Sequence, residues 1–431
     1  GVQGRGQPMK RLLAAFCLLA PVGLHAADSV TAIRGARVRT VDAGTINPGT
    51  VVIANGKIAA VGSDVPIPPG AIVVDGAGKT LYPGLIDALT TLGLVEVPLG
   101  APGTVDRAEL GDVNPQAKAW VALNPHSDLI PVARANGLTA ALSAPIGGLV
   151  SGQSALIRLA GSTPDALVVK TPVAVHLVYP SGASVADDDD EDSDEPERKT
   201  FADRQEDKKK GQERDLNKLR NLLEEAKAYV PSVGKPDLPM EALAPAARGE
   251  LPVVMRADDE SDIRGAVAFA EERGLRLIVA GGLEAWRCAD LLKQKDVAVL
   301  LSVLRLPRRD SDPYDSAYAN AAVLQNTGVR FAIVSDDDAF SRNLPYQAAM
   351  ARAYGLLPEA ALRAITLSPA EILGVADRMG SISVGKDANL VLTTGDIMDA
   401  RTSVVAVFID GVAQSLETRH TRLYERFKDR P

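Results

Sequence analysis

Apolar runs of strand length alternate with helical stretches through the second half of this chain, and that alternation restricts the fold more than any other feature. Residues 251–254 read as a strand and 261–273 as a helix stopped by Gly274. A strand at 275–280, a helix at 283–293 and a strand at 297–303 follow, then another helix and a strand at 330–334. Strands and helices alternating at this spacing imply a parallel sheet. Ser368 and Pro369 offer a cap and a first-turn proline to a last short helix that ends at Gly374. Residues 83–375 leave room for roughly eight such units, the size of a (β/α)8 barrel.

The two ends of the chain read differently. Residues 30–80 contain short strands, and 51–54 and 57–61 flank Asn55-Gly56, a pair suited to the positive φ of a type I′ hairpin turn. Strands at 390–392 and 404–409 close the chain, with Asp410-Gly411 as a second tight turn. The expected class is therefore α/β. A TIM-type barrel over residues 81–375 is joined to a small β-sandwich-like domain built from both termini, 28–80 together with 376–420.

With 431 residues, a barrel with an appendage is the natural size class. The net charge of −8 provides no basic face for nucleic acid, and aromatics at 4% argue against stacking platforms. Met9-Lys10-Arg11, an apolar run to Leu24 and then Ala26-Ala27 read as a signal peptide over residues 9–26. Its apolar run is too short for a membrane span. The expected location is periplasmic or secreted, with no membrane span after cleavage. Cys17 lies in that leader, which leaves Cys288 and no internal disulfide. Asp187 to Glu195 is an acidic run without the spacing of a calcium loop. The charged stretch 183–215 is expected to be a disordered, solvated insertion, with helix resuming over 216–229.

Several residues carry possible chemistry. The glycine-rich stretch 146–154 lacks a P-loop ending, but Gly152, Gln153 and Ser154 could contact a substrate carboxylate or oxyanion, the other reading being a flexible loop over the barrel mouth. Ser154 has no histidine beside it in sequence. His176, after an apolar run, is a candidate general base or a hydrogen-bonded core residue. Asp336, with Asp337 and Asp338 after it, is a candidate base or metal ligand. Lys170 begins its strand, which counts against a carboxylated-lysine role. His126 and His420 read as surface residues.

Three segments resemble the amidohydrolase superfamily, in its imidazolonepropionase-like branch. The first is Asn55-Gly56-Lys57-Ile58 running into Pro83-Gly84-Leu85-Ile86-Asp87. The second is Phe331-Ala332-Ile333-Val334-Ser335-Asp336. The third runs from Ala361 through Pro369-Ala370 to Gly385-Lys386-Asp387-Ala388-Asn389-Leu390. The resemblance implies a barrel that hydrolyses non-peptide C–N bonds with one or two divalent metals. It also implies ligands from a His-x-His on strand one, a Lys or Glu on strand four, His on strands five and six, and a final Asp.

This chain departs from that set. Leu89 and Thr91 stand at the His-x-His positions, Arg256 at the strand-five histidine, and Ala280 ends strand six. Asp336 remains, as catalytic residue or metal ligand, with His176 and Arg256 beside it as catalytic candidates. If Arg256 points where the histidine would, its guanidinium occupies the vacated seat and pairs with Asp336. The expected cofactor is at most one divalent metal, zinc foremost, or none. The expected function is an exported hydrolase of C–N bonds with a reduced site, the alternative being a non-catalytic binding or partner module. A small-molecule ligand is the expected partner, and a homo-oligomer is compatible with the sequence.

Overall fold

The computed structural model describes Gly1 and residues 30–97, 101–181, 201–231, 235–309 and 311–430. The leader at 9–26, Cys17 and the acidic run 187–195 lie outside the described residues.

The terminal strands share one mixed sheet of eight strands. Its N-terminal members run from Thr31–Arg39 to Thr80–Pro83, and Leu390–Thr393, Val404–Ile409 and Val412–Gln414 complete it. The expected sandwich is thus a single hydrogen-bonded sheet. Strand Thr31–Arg39 carries two register shifts against Thr45–Ala54, and on its other edge it pairs first with Ile72–Asp75 and then with Thr80–Pro83. Such bulges bend a strand, and here one strand changes partners over a core that includes Ile33, Ile53, Leu81, Leu390 and Phe408. The Asn55-Gly56 and Asp410-Gly411 turns both take positive φ, as a type I′ turn requires.

The chain then enters a second layer at Gly84. A Cβ there would lie 2.0 Å from Thr139 Oγ1, so only glycine lets strand Leu85–Thr90 pack on Leu138–Ser143. Those two strands are parallel. A run of parallel pairs links Val175–Val178, Val253–Ala257, Leu277–Gly281, Ala298–Leu301 and Phe331–Ile333.

Between the two groups the regular βα alternation is interrupted. Val150–Gln153 pairs antiparallel with Val175–Val178, and Ala155–Arg158 pairs antiparallel with Leu138–Ser143. One extended segment therefore bridges both sheets with no crossover helix longer than Pro164–Leu167 on the way. The glycine-rich stretch supplies that bridge, because a short antiparallel return needs no helix. At the opposite edge the Asp336 N–H donates to the Leu89 carbonyl (3.0 Å), joining the last strand to the first.

Helices cover the outside. Glu260–Arg273 ends at Gly274 in the left-handed conformation, as the sequence suggests. The short helix expected after Ser368-Pro369 is Leu367–Ile372, so Ser368 and Pro369 lie inside it and Thr366 is the cap residue. The Thr366 hydroxyl donates to the Leu362 carbonyl (2.7 Å), which ties it to the preceding helix.

The charged insertion also needs correcting. Residues 201–215 belong to a 28-residue helix, Phe201–Ala228. Its first half is solvated and carries a Glu206–Lys210 pair one turn apart. Its second half buries Leu219, Leu223 and Ala226 in the main core, at about 2 kcal/mol for each leucine. Mixed charge at i, i+4 spacing sustains a helix where a block of one sign would not.

Candidate active site at the carboxyl ends of the strands

A cavity of about 340 Å³ opens where the carboxyl ends of the strands converge. Asp336, His176 and Arg256 all line it, together with Leu89, Thr91 and Arg107. Asp336 follows strand Phe331–Ile333 with φ +54°, a conformation that aspartate tolerates better than most residues and that turns its carboxylate inward. Arg256, near the end of Val253–Ala257, grips that carboxylate with both terminal nitrogens, Nη1 to Oδ2 at 3.0 Å and Nη2 to Oδ1. Arg305 Nη2 adds a third hydrogen bond to Oδ2 at 3.2 Å. The Asp336 side chain is 13% exposed and that of Arg256 35%. Burial opposes the Arg256 charge, but the bonds and charge of Asp336 and the charge of Asp258 hold its pKa above the ordinary value.

Gly281 sits beside this pair. A Cβ there would lie 2.2 Å from Asp258 Oδ1, and its φ is +88°. The strand-six end therefore has no room for a side chain at 281, and Ala280 presents only a methyl group to the cavity.

His176 is the second residue of Val175–Val178, not the end of the run before it. It is 6% exposed, and its Nε2 has no hydrogen-bond partner among the described residues. Burial first, and the Arg256 charge second, push its pKa down to about 3. The imidazole is neutral near neutral pH.

Behind the cavity wall lies Asp87, fully buried, the last residue of the Pro-Gly-Leu-Ile-Asp motif. Its carboxyl receives the Ser335 N–H (3.1 Å) and contacts the Ser335 hydroxyl. Burial dominates over these bonds and raises its pKa to about 7. The Ser335 hydroxyl also donates to the Asp337 carbonyl (3.1 Å), which accepts from Thr90 Oγ1 as well. Asp337 and Asp338 face the cavity. Burial and the neighbouring Asp337 raise the pKa of Asp338.

The loop after Ala298–Leu301 spans the strand ends by three ion pairs. Arg305 reaches Asp336, Arg308 reaches Asp259, and Arg309 reaches the fully buried Glu284. Sequence reading missed this clasp, along with Arg107, Ser151 and the buried acid Asp87. The arginine cluster 305–309 was the one visible signal.

Other sequence candidates fall elsewhere. Gly152, Gln153 and Ser154 do not line the cavity. The Gln153 amide donates to the Pro115 carbonyl (3.0 Å) and Ser154 Oγ to the Ala174 carbonyl (3.4 Å). These residues form the bridging strand, and a register shift there leaves Ser151 as its cavity-lining residue. Lys170 Nζ donates to the carbonyls of Leu373 and Gly374, and His126 and His420 are exposed.

The residues present do not fit a divalent metal. Leu89 offers no donor, and Arg256 puts a cation against the carboxylate that a metal would need. Among the described residues no group of three or more His, Cys, Asp or Glu could hold one. Asp336, a candidate ligand by sequence, is taken by two guanidinium groups.

Residues 267–413 match the model of the Amidohydrolase family. The chain is 24% identical over 407 residues to Amidohydrolase tasK of Hapsidospora irregularis, covering 85% of this chain and 40% of that protein. It thus spans well under half of that relative. It is 26% identical over 374 residues to an imidazolonepropionase of Idiomarina loihiensis, covering 81% of this chain and 86% of the relative. Among solved structures, an amidohydrolase from Thermotoga maritima superposes with a TM-score of 0.77 at 28% identity, over 89% of this chain and 99% of that one.

Proposed function

Because this chain belongs to the amidohydrolase superfamily, we propose that it is a hydrolase of non-peptide C–N bonds whose fixed cation is Arg256. One observation carries the reading: Arg256 and Asp336 are locked together at the mouth of the strands, in a cavity that Asp337 and Asp338 also line. Leu89 and Thr91 then mark a lost ligand pair.

A guanidinium has five N–H donors, and Asp336 occupies two of those of Arg256. The remainder can hold the oxygen of a scissile carbonyl. Water adds to the carbonyl carbon, the C=O electron pair moves to oxygen, and Arg256 stabilises the oxyanion. The proton of water passes to Asp338, whose raised pKa makes it a better base than an ordinary carboxylate. Collapse of the adduct breaks the C–N bond, and the same carboxyl returns the proton to the leaving nitrogen. Asp336 orients Arg256, and His176, neutral and partnerless, hydrogen-bonds the substrate.

The test is turnover of cyclic amides and acylated amino acids by protein purified without chelator or histidine tag, with its metal content measured alongside. The expected result is hydrolysis that survives chelation and falls at least about a hundredfold in Asp338→Asn. Metal-dependent turnover would overturn the role of Arg256. No turnover on any substrate would favour the second reading, a non-catalytic binding module. The Arg256–Asp336 pair supports that second reading too, since it occupies the carboxylate. Export to the periplasm or medium is part of the proposal and rests on the leader. No helix among the described residues is long and apolar enough to cross a membrane.

A further inference from the structure

The helix Arg419–Phe427 follows strand Val412–Gln414 and buries no residue of its own. A capping box fixes its start: the Thr418 hydroxyl accepts the Thr421 N–H (3.2 Å), and Thr421 Oγ1 accepts the Thr418 N–H (2.8 Å). So short a helix is only marginally stable in water without a packed face. At about 100° per residue, Leu423, Phe427, His420 and Tyr424 fall on one arc. Leu423 is 39% exposed and Tyr424 66%. Arg419 and Arg422 lie to one side of that arc and lean towards Asp128 on the body, at 3.8 and 3.5 Å. The charge of the segment runs against that of the chain. Residues 419–430 hold five arginines or lysines and two carboxylates, in a chain of net charge −8. Arg426 and Arg430 have no carboxylate partner among the described residues and stack on the Phe427 ring, 5.2 and 4.1 Å from its centre.

We propose that this helix docks the protein on an anionic lipid surface. Leu423, Tyr424 and Phe427 enter the boundary between headgroups and acyl chains, and the flanking guanidinium groups meet the lipid phosphates. An exposed apolar arc beside a basic one is the form of a helix that lies in that plane. Nine residues are too few to span the bilayer. The Phe427 stack sets an apolar ring and two cations at the same edge of the helix, which suits the headgroup level, where both surroundings meet. Two other occupants fit the helix less well. A two-fold contact between copies through it would set five cations against five more. Nucleic acid would use the arginines but not the apolar arc. The proposal goes beyond the hydrolase reading and does not depend on it.

Co-sedimentation with vesicles tests it, using the chain from Ala27 onward so that the apolar run at residues 12–24 cannot bind in the helix's place. Vesicles of phosphatidylglycerol and phosphatidylcholine in equal parts are compared with phosphatidylcholine alone, at low and at high salt. The expected result is binding to the anionic vesicles at least about tenfold tighter than to the neutral ones, weakened by salt. Arg426→Ala should lower the affinity about fivefold, and Leu423→Ser with Tyr424→Ser at least about tenfold. Both variants should keep the wild-type melting temperature, since none of these side chains is buried. Equal binding to the two kinds of vesicle, no binding to either, or binding that both variants leave unchanged would overturn the proposal. So would self-association of the wild type that Leu423→Ser with Tyr424→Ser abolishes, which would make a second copy the occupant.

Discussion

Arg256 and Asp336, 80 positions apart in sequence, are joined at the mouth of the cavity by a two-point ion pair. Removing one partner of a buried pair costs far more than removing both, because the survivor keeps its charge without compensation. Arg256→Ala should therefore lower stability by about 1–3 kcal/mol, less than for a fully buried pair because Arg256 is partly exposed and Arg305 stays on Asp336. The double variant Arg256→Leu with Asp336→Leu should recover most of that loss. Urea midpoints of the wild type, Arg256→Leu, Asp336→Leu and the double variant check it, and strictly additive losses would show that the pair is not coupled. Sequence reading anticipated this contact because Arg256 stands where the resembled family places its strand-five histidine and Asp336 where it places its final aspartate. Arg107 gave no such sign, since nothing in its neighbourhood marks it as facing the cavity.

Among the elements, the loop 303–309 and the helix Phe201–Ala228 depend on different forces. The loop is held by ion pairs to buried carboxylates. Glu284 is fully buried and also accepts the Glu260 N–H, and Asp259, nearly buried, sits at the amino end of Glu260–Arg273, where the helix dipole also favours its charge. Arg308→Ala and Arg309→Ala should each cost about 1–3 kcal/mol. Hydrogen exchange over 303–309 should quicken in both variants. The helix is held by its second half, so Leu223→Ala should cost about 2–4 kcal/mol while Lys208→Ala changes stability by less than about 0.5 kcal/mol. Thermal unfolding of the two variants separates these outcomes.

For the whole molecule, two buried groups set opposing responses to pH. His176 titrates near 3 in the fold against an ordinary 6.5, so unfolding takes up a proton and stability is lost as pH falls from 6.5 towards 3. Asp87 titrates near 7 in the fold against 3.8, so its proton is released on unfolding and stability is lost as pH rises from 3.8 towards 7. Between 3.8 and 6.5 the two slopes cancel, at about 1.4 kcal/mol per pH unit each. Asp87→Asn keeps the shape of the neutral acid and removes one slope. Its stability should rise with pH between about 4.5 and 6.5, where the wild type stays nearly flat. Parallel profiles for the two proteins would show that Asp87 is not the buried acid described.

The sequence by itself determined the elements and their order, because hydrophobic period, Asn-Gly and Asp-Gly turns and helix-ending glycines are local signals. Those signals located the strands from Val253 to Ile333 to within a few residues. Local signals also marked both terminal β blocks, although only long-range hydrogen bonds made them one sheet. The antiparallel bridge at 150–158 was illegible, since a strand's direction relative to its neighbours is a property of pairing. For the same reason Gly152, Gln153 and Ser154 read as a binding loop until register put them in a sheet. The tertiary structure alone decided which carboxylates are clasped, which are buried and which line the cavity. Desolvation and partner distance set the charge of Asp87, His176 and Arg256, and both depend on segments brought together from across the chain.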